Sequence, residues 1–254
     1  MPRFQPKKLP DGRAMLNLGC GWKMHWGWTN LDFSPYARLV KHPAIARLLA
    51  RAGVLSPLRQ ERLAKVDPEM TCHDLRGGIP FHDETFDVVY HSHFLEHLDR
   101  AVAPIVLAEC RRVLKPGGIL RVVVPDWETQ VANYRRAFEM CDRAESGALE
   151  AHTKAMEKML EQIIRHRAAG TRERQWLSGL ENWWRGGAAG TGEAHRWMYD
   201  RHSLAALLQK AGFRDPRVCG VTESSVEGWP DFGLDTKEDG QPYKRDSLYM
   251  EARK

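Results

Sequence analysis

The stretch "AMLNLGCG", Ala14 to Gly21, constrains the chain most. A continuous apolar run that breaks on a glycine turn is the pattern of a parallel strand buried on both faces. "TNLDF" follows as a second, shorter strand carrying Asp32 at its end. Further strand-like runs are "TCHDL", ending on Asp74-Leu75, "FDVVYHSH", with Phe86, Val88 and Val89 apolar, and "ILRVVVPD", the most β-branched stretch of the chain. "RVCGVT" and "SLYMEARK" are the candidate last strands.

Helical patterns lie between these runs. Residues 36–68 read as a basic helical insertion: Ile45, Leu48 and Leu49 keep helical spacing, Pro43 suits a first turn and Gly53 suits the C′ position. "LDRAVAPIVLAECRRVL" reads as a helix with Leu98, Val102, Ile105, Val106 and Val113 on one face, stopped by "KPGG". Met156, Met159, Leu160, Ile163 and Ile164 form an amphipathic stripe inside a second helical insertion, residues 127–194. "SLAALLQKAGF" is a short helix closed by Gly212. Strands alternating with helices predict a single α/β domain over residues 1–254, with a doubly wound sheet.

The 254 residues, 43% apolar and 28% charged, have the balance of a soluble globular protein. No segment approaches the roughly 18 apolar residues of a membrane span, and the basic N-terminus lacks the apolar core of a secretory signal. Cys20, Cys72, Cys110, Cys141 and Cys219 are scattered, with no C-x-x-C pair. Neither a zinc knuckle nor a disulfide framework is expected, and a cytoplasmic location with reduced thiols is. The net charge of +5 reads first as a solvated surface, and second as a preference for an acidic partner such as nucleic acid, an anionic membrane face or a phosphate-bearing substrate.

A glycine turn after a parallel strand lets backbone N–H groups approach a ligand, because no Cβ intervenes. A carboxylate ending the neighbouring strand can accept hydrogen bonds from ribose hydroxyls, and both features fall at the carboxyl edge of the sheet, where open α/β folds bind ligands. A dinucleotide site needs G-x-G-x-x-G opening a full helix. Here residue 24 is Met and no helix of useful length follows Gly21, which disfavours a nicotinamide cofactor.

The order "LNLGCG", "NLDF", "CHDL", "FDVVYHSHFLEHL", "AECRRVLKPGGILRVVVPD" resembles the class I S-adenosylmethionine-dependent methyltransferases over roughly residues 14–126. "GWTNLD", the basic insertion and "HRWMYDRHSL…AGF" further resemble bacterial methyltransferases associated with surface-glycan and polysaccharide pathways. The resemblance implies a seven-stranded, mostly parallel sheet in the order 3-2-1-4-5-7-6, with "SLYMEARK" as the antiparallel seventh strand. It implies S-adenosylmethionine as cofactor. Gly19, Cys20 and Gly21 pass beneath its methionine part, Asp32 holds the ribose, Asp74 and Leu75 bind the adenine, and His91 and Ser92, after the fourth strand, line the methionine moiety. One departure stands out. Only "WKMHWGW" lies between Gly21 and the second strand, whereas a parallel crossover normally needs about a dozen residues, so the first helix is expected to be lost or cut to a turn.

Methyl transfer from a sulfonium is an in-line displacement; a hydroxyl acceptor needs a base, an amine needs to be neutral. His91-Ser92-His93-Phe94 stands where methylases of base amino groups carry an N/D/S-P-P-Y/F run, so no sequence-specific nucleic acid is expected. No acidic metal-binding cluster is legible, although Asp126 ends the fifth strand. His195 and His93 are the candidate bases, His97 a structural histidine, and Tyr199 a residue that packs or orients an acceptor. The resemblance implies O-methylation of a sugar or glycan intermediate, with phosphate-bearing forms suiting the charge; the alternatives are O- or N-methylation of another small molecule in secondary metabolism and a non-catalytic S-adenosylmethionine-binding partner subunit. The tryptophans near the turn and in the 127–194 segment lean towards a substantial organic acceptor. That segment reads as a lid over the site, an interface for a homodimer, or both.

Overall fold

The structure, a computed structural model, describes residues 4–163 and 195–254. Seven strands form one sheet in the order β3-β2-β1-β4-β5-β7-β6. They are β1 Met15–Leu18, β2 Thr29–Asp32, β3 Thr71–Cys72, β4 Phe86–Ser92, β5 Leu114–Pro125, β6 Arg214–Cys219 and β7 Ser247–Arg253. β1 pairs in parallel with β2 and β4, β2 with β3, and β4 with β5; β7 runs antiparallel between β5 and β6. The strand order is the one that the methyltransferase resemblance implies. It brings the carboxyl ends of β1, β2, β4 and β5, and the start of β7, to one edge.

The helices are α1 Pro35–Leu39, α2 Pro43–Arg51, α3 Pro57–Ala64, α4 Ala103–Val113, α5 Trp127–Asp142, α6 Ala148–Ile163 and α7 Arg201–Lys210. No helix among the described residues is long and apolar enough to cross a membrane. One face of the sheet is covered conventionally. Leu16, Leu18, Val89, Leu120, Val122 and Met250 pack against Val106, Leu107 and Cys110 of α4 and Leu204 and Leu208 of α7. Pro near the N-terminus starts α4 at Ala103, and its buried stripe is Ala103, Val106, Leu107, Cys110 and Val113. Val102 and Ile105, expected on that face, are exposed instead, because α4 turns Ala103, Val106, Leu107, Cys110 and Val113 towards the sheet.

The other face is built differently. No helix joins β1 to β2. The loop is closed by side chains of the strands themselves: Asn17 Nδ2 donates to Lys23 O at 3.0 Å, and Asn30 Nδ2 donates to His25 O at 2.9 Å and Trp28 O at 3.2 Å. These satisfy carbonyls that a helix would have paired internally. The apolar cover of this face comes from the β6–β7 connection. Val226, Trp229 and Leu234 join Met15, Trp28, Val88, Tyr90, Val123 and Tyr249 in a second core cluster.

Arg121 anchors that connection. Its side chain is fully buried, with Nε donating to Asp235 Oδ2 and Nη1 to Glu251 Oε1, both at 2.9 Å. Nη1 also donates to Glu223 O, and Nη2 to Gly220 O and Val221 O. Tyr90 donates its hydroxyl to Asp235 Oδ1 at 2.7 Å, and Trp229 lies over the guanidinium.

Candidate active site

The glycine turn leaves β1 with Gly19 at φ +62° and Gly21 at φ +54°, both in the left-handed region that favours glycine. A Cβ on Gly19 would sit 2.7 Å from Phe94 Cδ2, so the position is closed to a side chain on two counts. Gly19 N and Cys20 N both donate to Leu31 O. The Cys20 side chain turns away into a small cluster with Ala37, Val66 and Met70, and burial pushes its thiol up. Gly21 N donates to Asp32 Oδ2 at 2.8 Å, and Ser34 N to Asp32 Oδ1 at 2.5 Å. Asp32 is buried at the end of β2, with its carboxylate fixed beside the glycine turn. Asp74 and Leu75 lie beyond β3, which is shorter than expected: pairing ends at Asp32↔Cys72, and Leu75 opens a one-turn 3-10 helix.

His91 and Ser92 are the last residues of β4 rather than residues after it. His91 pairs with Leu18 on one side and Val122 on the other. Its imidazole is fully buried, with its pKa lowered to about 4 by burial, and neither nitrogen is hydrogen-bonded among the described residues. His93 follows at φ +50°, an uncommon conformation for a non-glycine residue, with its N–H donating to Val123 O at 2.8 Å. Its Nε2 lies 3.0 Å from Ser247 Oγ, and its Nδ1 3.2 Å from Glu96 Oε1.

Glu96 is completely buried. Burial pushes its carboxyl up, but His93, His97 and Lys244 more than reverse this and hold it at about 2. His93 goes the other way: burial lowers its pKa, opposed by Glu96. The pair at neutral pH is therefore a carboxylate beside a neutral imidazole. The negative charge favours the tautomer with its proton on Nδ1, leaving Nε2 as an acceptor. Ser92 and His93 line a small cleft with Asp235, Lys244, Ser247 and Tyr249.

The chain re-enters the description at His195, whose ring packs edge-on against His97 with centroids 4.9 Å apart. Arg196 N and Trp197 N both donate to Glu96 O, at 2.7 and 3.2 Å. This segment is thus tied to the loop after β4. Tyr199 is buried in the first core cluster, bridged to Asp126, with burial raising its hydroxyl to about 12. Tyr199 therefore packs. Asp126 caps α5, accepting from Glu128 N at 3.1 Å and Thr129 Oγ1 at 2.5 Å, and among the described residues joins no group of metal-ligating side chains. Among the tryptophans, Trp28 and Trp229 are core residues, while Trp26 and Trp197 are exposed. Trp176, Trp183 and Trp184 lie outside the described residues.

The structure brings together at one edge Gly19, Gly21, Asp32, Ser92, His93 and His195, and adds two residues that sequence reasoning did not select. Glu96 was visible only as the acidic half of "LEHL". Ser247 carries no local signal at all; it arrives because β7 begins at the edge where β4 ends.

A family profile described as "Methyltransferase domain" matches residues 16–122. An "Uncharacterized 37.1 kDa protein in transposon TN4556" from Streptomyces fradiae is 33% identical over 125 residues, covering 48% of this chain and 33% of that protein. A "Probable methyltransferase ltbC" from Aspergillus luteorubrus is 32% identical over 113 residues, covering 42% of this chain and 38% of that one. The match thus spans little more than a third of either relative's length. A solved SAM-dependent methyltransferase from Archaeoglobus fulgidus is 13% identical, covers 95% of this chain and 86% of its own, and superposes with a TM-score of 0.39. Residues 16–122 thus match the methyltransferase-domain profile, and the sheet order is the one that the resemblance to the class I methyltransferases implies.

Proposed function

We propose that the protein O-methylates a sugar or glycan intermediate, with Gly19, Cys20, Gly21, Asp32, Asp74, Leu75, His91 and Ser92 forming the donor site. The observation that carries this reading is the Asp32 carboxylate, buried at the end of β2 and bonded to the N–H of the glycine turn that ends β1. The residues fit the cofactor: the turn has positive φ with no room for a Cβ at Gly19, and Asp32 retains acceptor capacity on both oxygens. S-Adenosylmethionine supplies a methyl carbon on a positively charged sulfur, and the bonding electrons return to that sulfur on transfer.

His93 acts as the base in this proposal. Glu96 holds its ring from the Nδ1 side, and Nε2 faces Ser247 Oγ at 3.0 Å, so an acceptor hydroxyl would deliver its proton by taking the place of Ser247. The lowered pKa supports an imidazole that is neutral, and so able to accept, at neutral pH. His195, whose ring packs on His97, is the second candidate base. The 127–194 insertion is read as a lid on its described part, residues 127–163, the rest lying outside the described residues: α5 leaves directly from the end of β5, and Lys158 of α6 pairs with Asp246, next to Ser247. The net charge of +5 and the exposed Trp26 and Trp197 favour a phosphate-bearing saccharide.

Calorimetric titration with S-adenosylmethionine, S-adenosylhomocysteine and NAD, followed by methyl transfer to sugar phosphates and nucleotide sugars, tests the reading. Binding of the two sulfur nucleosides alone, with methyl transfer to a saccharide hydroxyl, is expected. Failure of both nucleosides to bind would remove the donor site, and transfer only to amines would remove the acceptor class.

A further inference from the structure

We propose that Glu96, His97 and His195 bind one divalent cation of the zinc, cobalt and iron class. One donor atom from each of the three side chains lies within 4.8 Å of the others. His97 Nε2 is 3.8 Å from Glu96 Oε1. Two donors held about 2.1 Å from one ion are at most ~4.2 Å apart, so small side-chain rotations close the set. The backbone fixes its parts against each other. His195 immediately precedes the two residues whose N–H groups, Arg196 and Trp197, donate to Glu96 O.

A second observation points into the same place. Glu96 is completely buried; His93 Nδ1 stands 3.2 Å from its Oε1, and its Oε2 has no hydrogen bond among the described residues. Taking an ionised carboxylate out of water costs several kcal/mol unless charge or coordination compensates it. A cation between Glu96 and the two other imidazoles would take up the Oε2 lone pairs that His93 does not reach.

The donor set defines the ion. Two imidazoles and one carboxylate suit zinc, iron or cobalt; magnesium and calcium prefer all-oxygen shells. Three protein ligands leave coordination positions open, as in catalytic rather than structural sites. Resting on the methyltransferase reading, those positions would take an acceptor hydroxyl and make it more acidic beside His93.

The test uses the full chain, stripped with a chelator and titrated with Zn²⁺ by calorimetry and with Co²⁺ by visible absorption. One ion per chain is expected, with the cobalt spectrum of a nitrogen–oxygen site. His195→Ala and His97→Ala each lower the affinity by at least about a hundredfold. His195→Ala is the decisive variant, because its segment is irregular and circular dichroism can verify that the fold survives. His195→Gln repeats the measurement with a side chain of similar bulk. S-Adenosylhomocysteine affinity is measured on the same samples. Lost cation binding with retained nucleoside binding supports the site. Absence of cation binding in the wild type, or undiminished affinity in the folded His195 and His97 variants, overturns it. Absence of nucleoside binding bears only on the methyltransferase reading.

Discussion

The Asp32 carboxylate accepts from Gly21 N at 2.8 Å and Ser34 N at 2.5 Å, and its own carbonyl accepts from His73 N at 3.1 Å. The side chain thus holds the glycine turn of β1, while its backbone continues the contact with the chain after β3. Asp32→Ala is expected to weaken S-adenosylhomocysteine affinity by about 1.5–3 kcal/mol, the scale of hydrogen bonds to a charged group. Isothermal calorimetry measures it, and an unchanged affinity would take Asp32 out of the donor site. Gly19, Gly21 and Asp32 were legible as residues because their roles follow from backbone freedom and a strand end, both local properties. The His93 environment was not: Glu96, Ser247 and His195 meet around one loop only after β4, β7 and the return segment are in place.

At the scale of elements, α4 shows how local pattern and tertiary packing divide the work. The helix and its stop before "KPGG" are readable, but its buried stripe is not the expected one, since packing on the sheet sets it at Ala103, Val106, Leu107, Cys110 and Val113. The last turns of α4 also carry a charge cluster. Arg112 donates to Glu109 Oε1 at 2.8 Å and Oε2 at 2.7 Å, to Asp83 Oδ1 at 2.8 Å, and to the carbonyls of Phe81 and Ile79. The Arg112 hydrogen bonds, opposed by partial burial and aided by Ile79 N–H, hold the Glu109 carboxyl below its ordinary 4.5. A carboxyl depressed on folding stabilises the native state fully above its unfolded value, and that contribution disappears as pH falls through the folded value. Glu109→Gln should therefore lower the unfolding midpoint at pH above 4.5, with the difference shrinking in more acidic solution. A difference that stays constant with pH would show that the charge is not what stabilises.

For the whole molecule, the decisive feature is the cover of the second sheet face. A β1–β2 connection without a helix leaves Met15, Val88 and Tyr90 needing apolar partners, and the β6–β7 connection provides Val226, Trp229 and Leu234. Arg121 pins that connection from inside the sheet, between Asp235 and Glu251. Arg121→Ala removes the cation and leaves two buried carboxylates. It should destabilise the fold by about 3–5 kcal/mol, measured by denaturant unfolding. A loss under 1 kcal/mol would mean that the apolar contacts of Trp229 hold the connection alone.

The alternation of buried strands and helices, the glycine turn with its acidic neighbour and the shortened first crossover are all legible locally, because apolar period, strand ends and φ preferences act over a few residues. Which segment covers the second face and which side chains surround His93 are set by long-range packing. Arg121 and Asp235, like His93 and Ser247, lie far apart along the chain, and no local pattern couples them. The antiparallel pairing of β7 against β5 brings Ser247 to the edge where β4 ends, and the hydrogen bonds from Arg196 and Trp197 to Glu96 bring His195 beside His97.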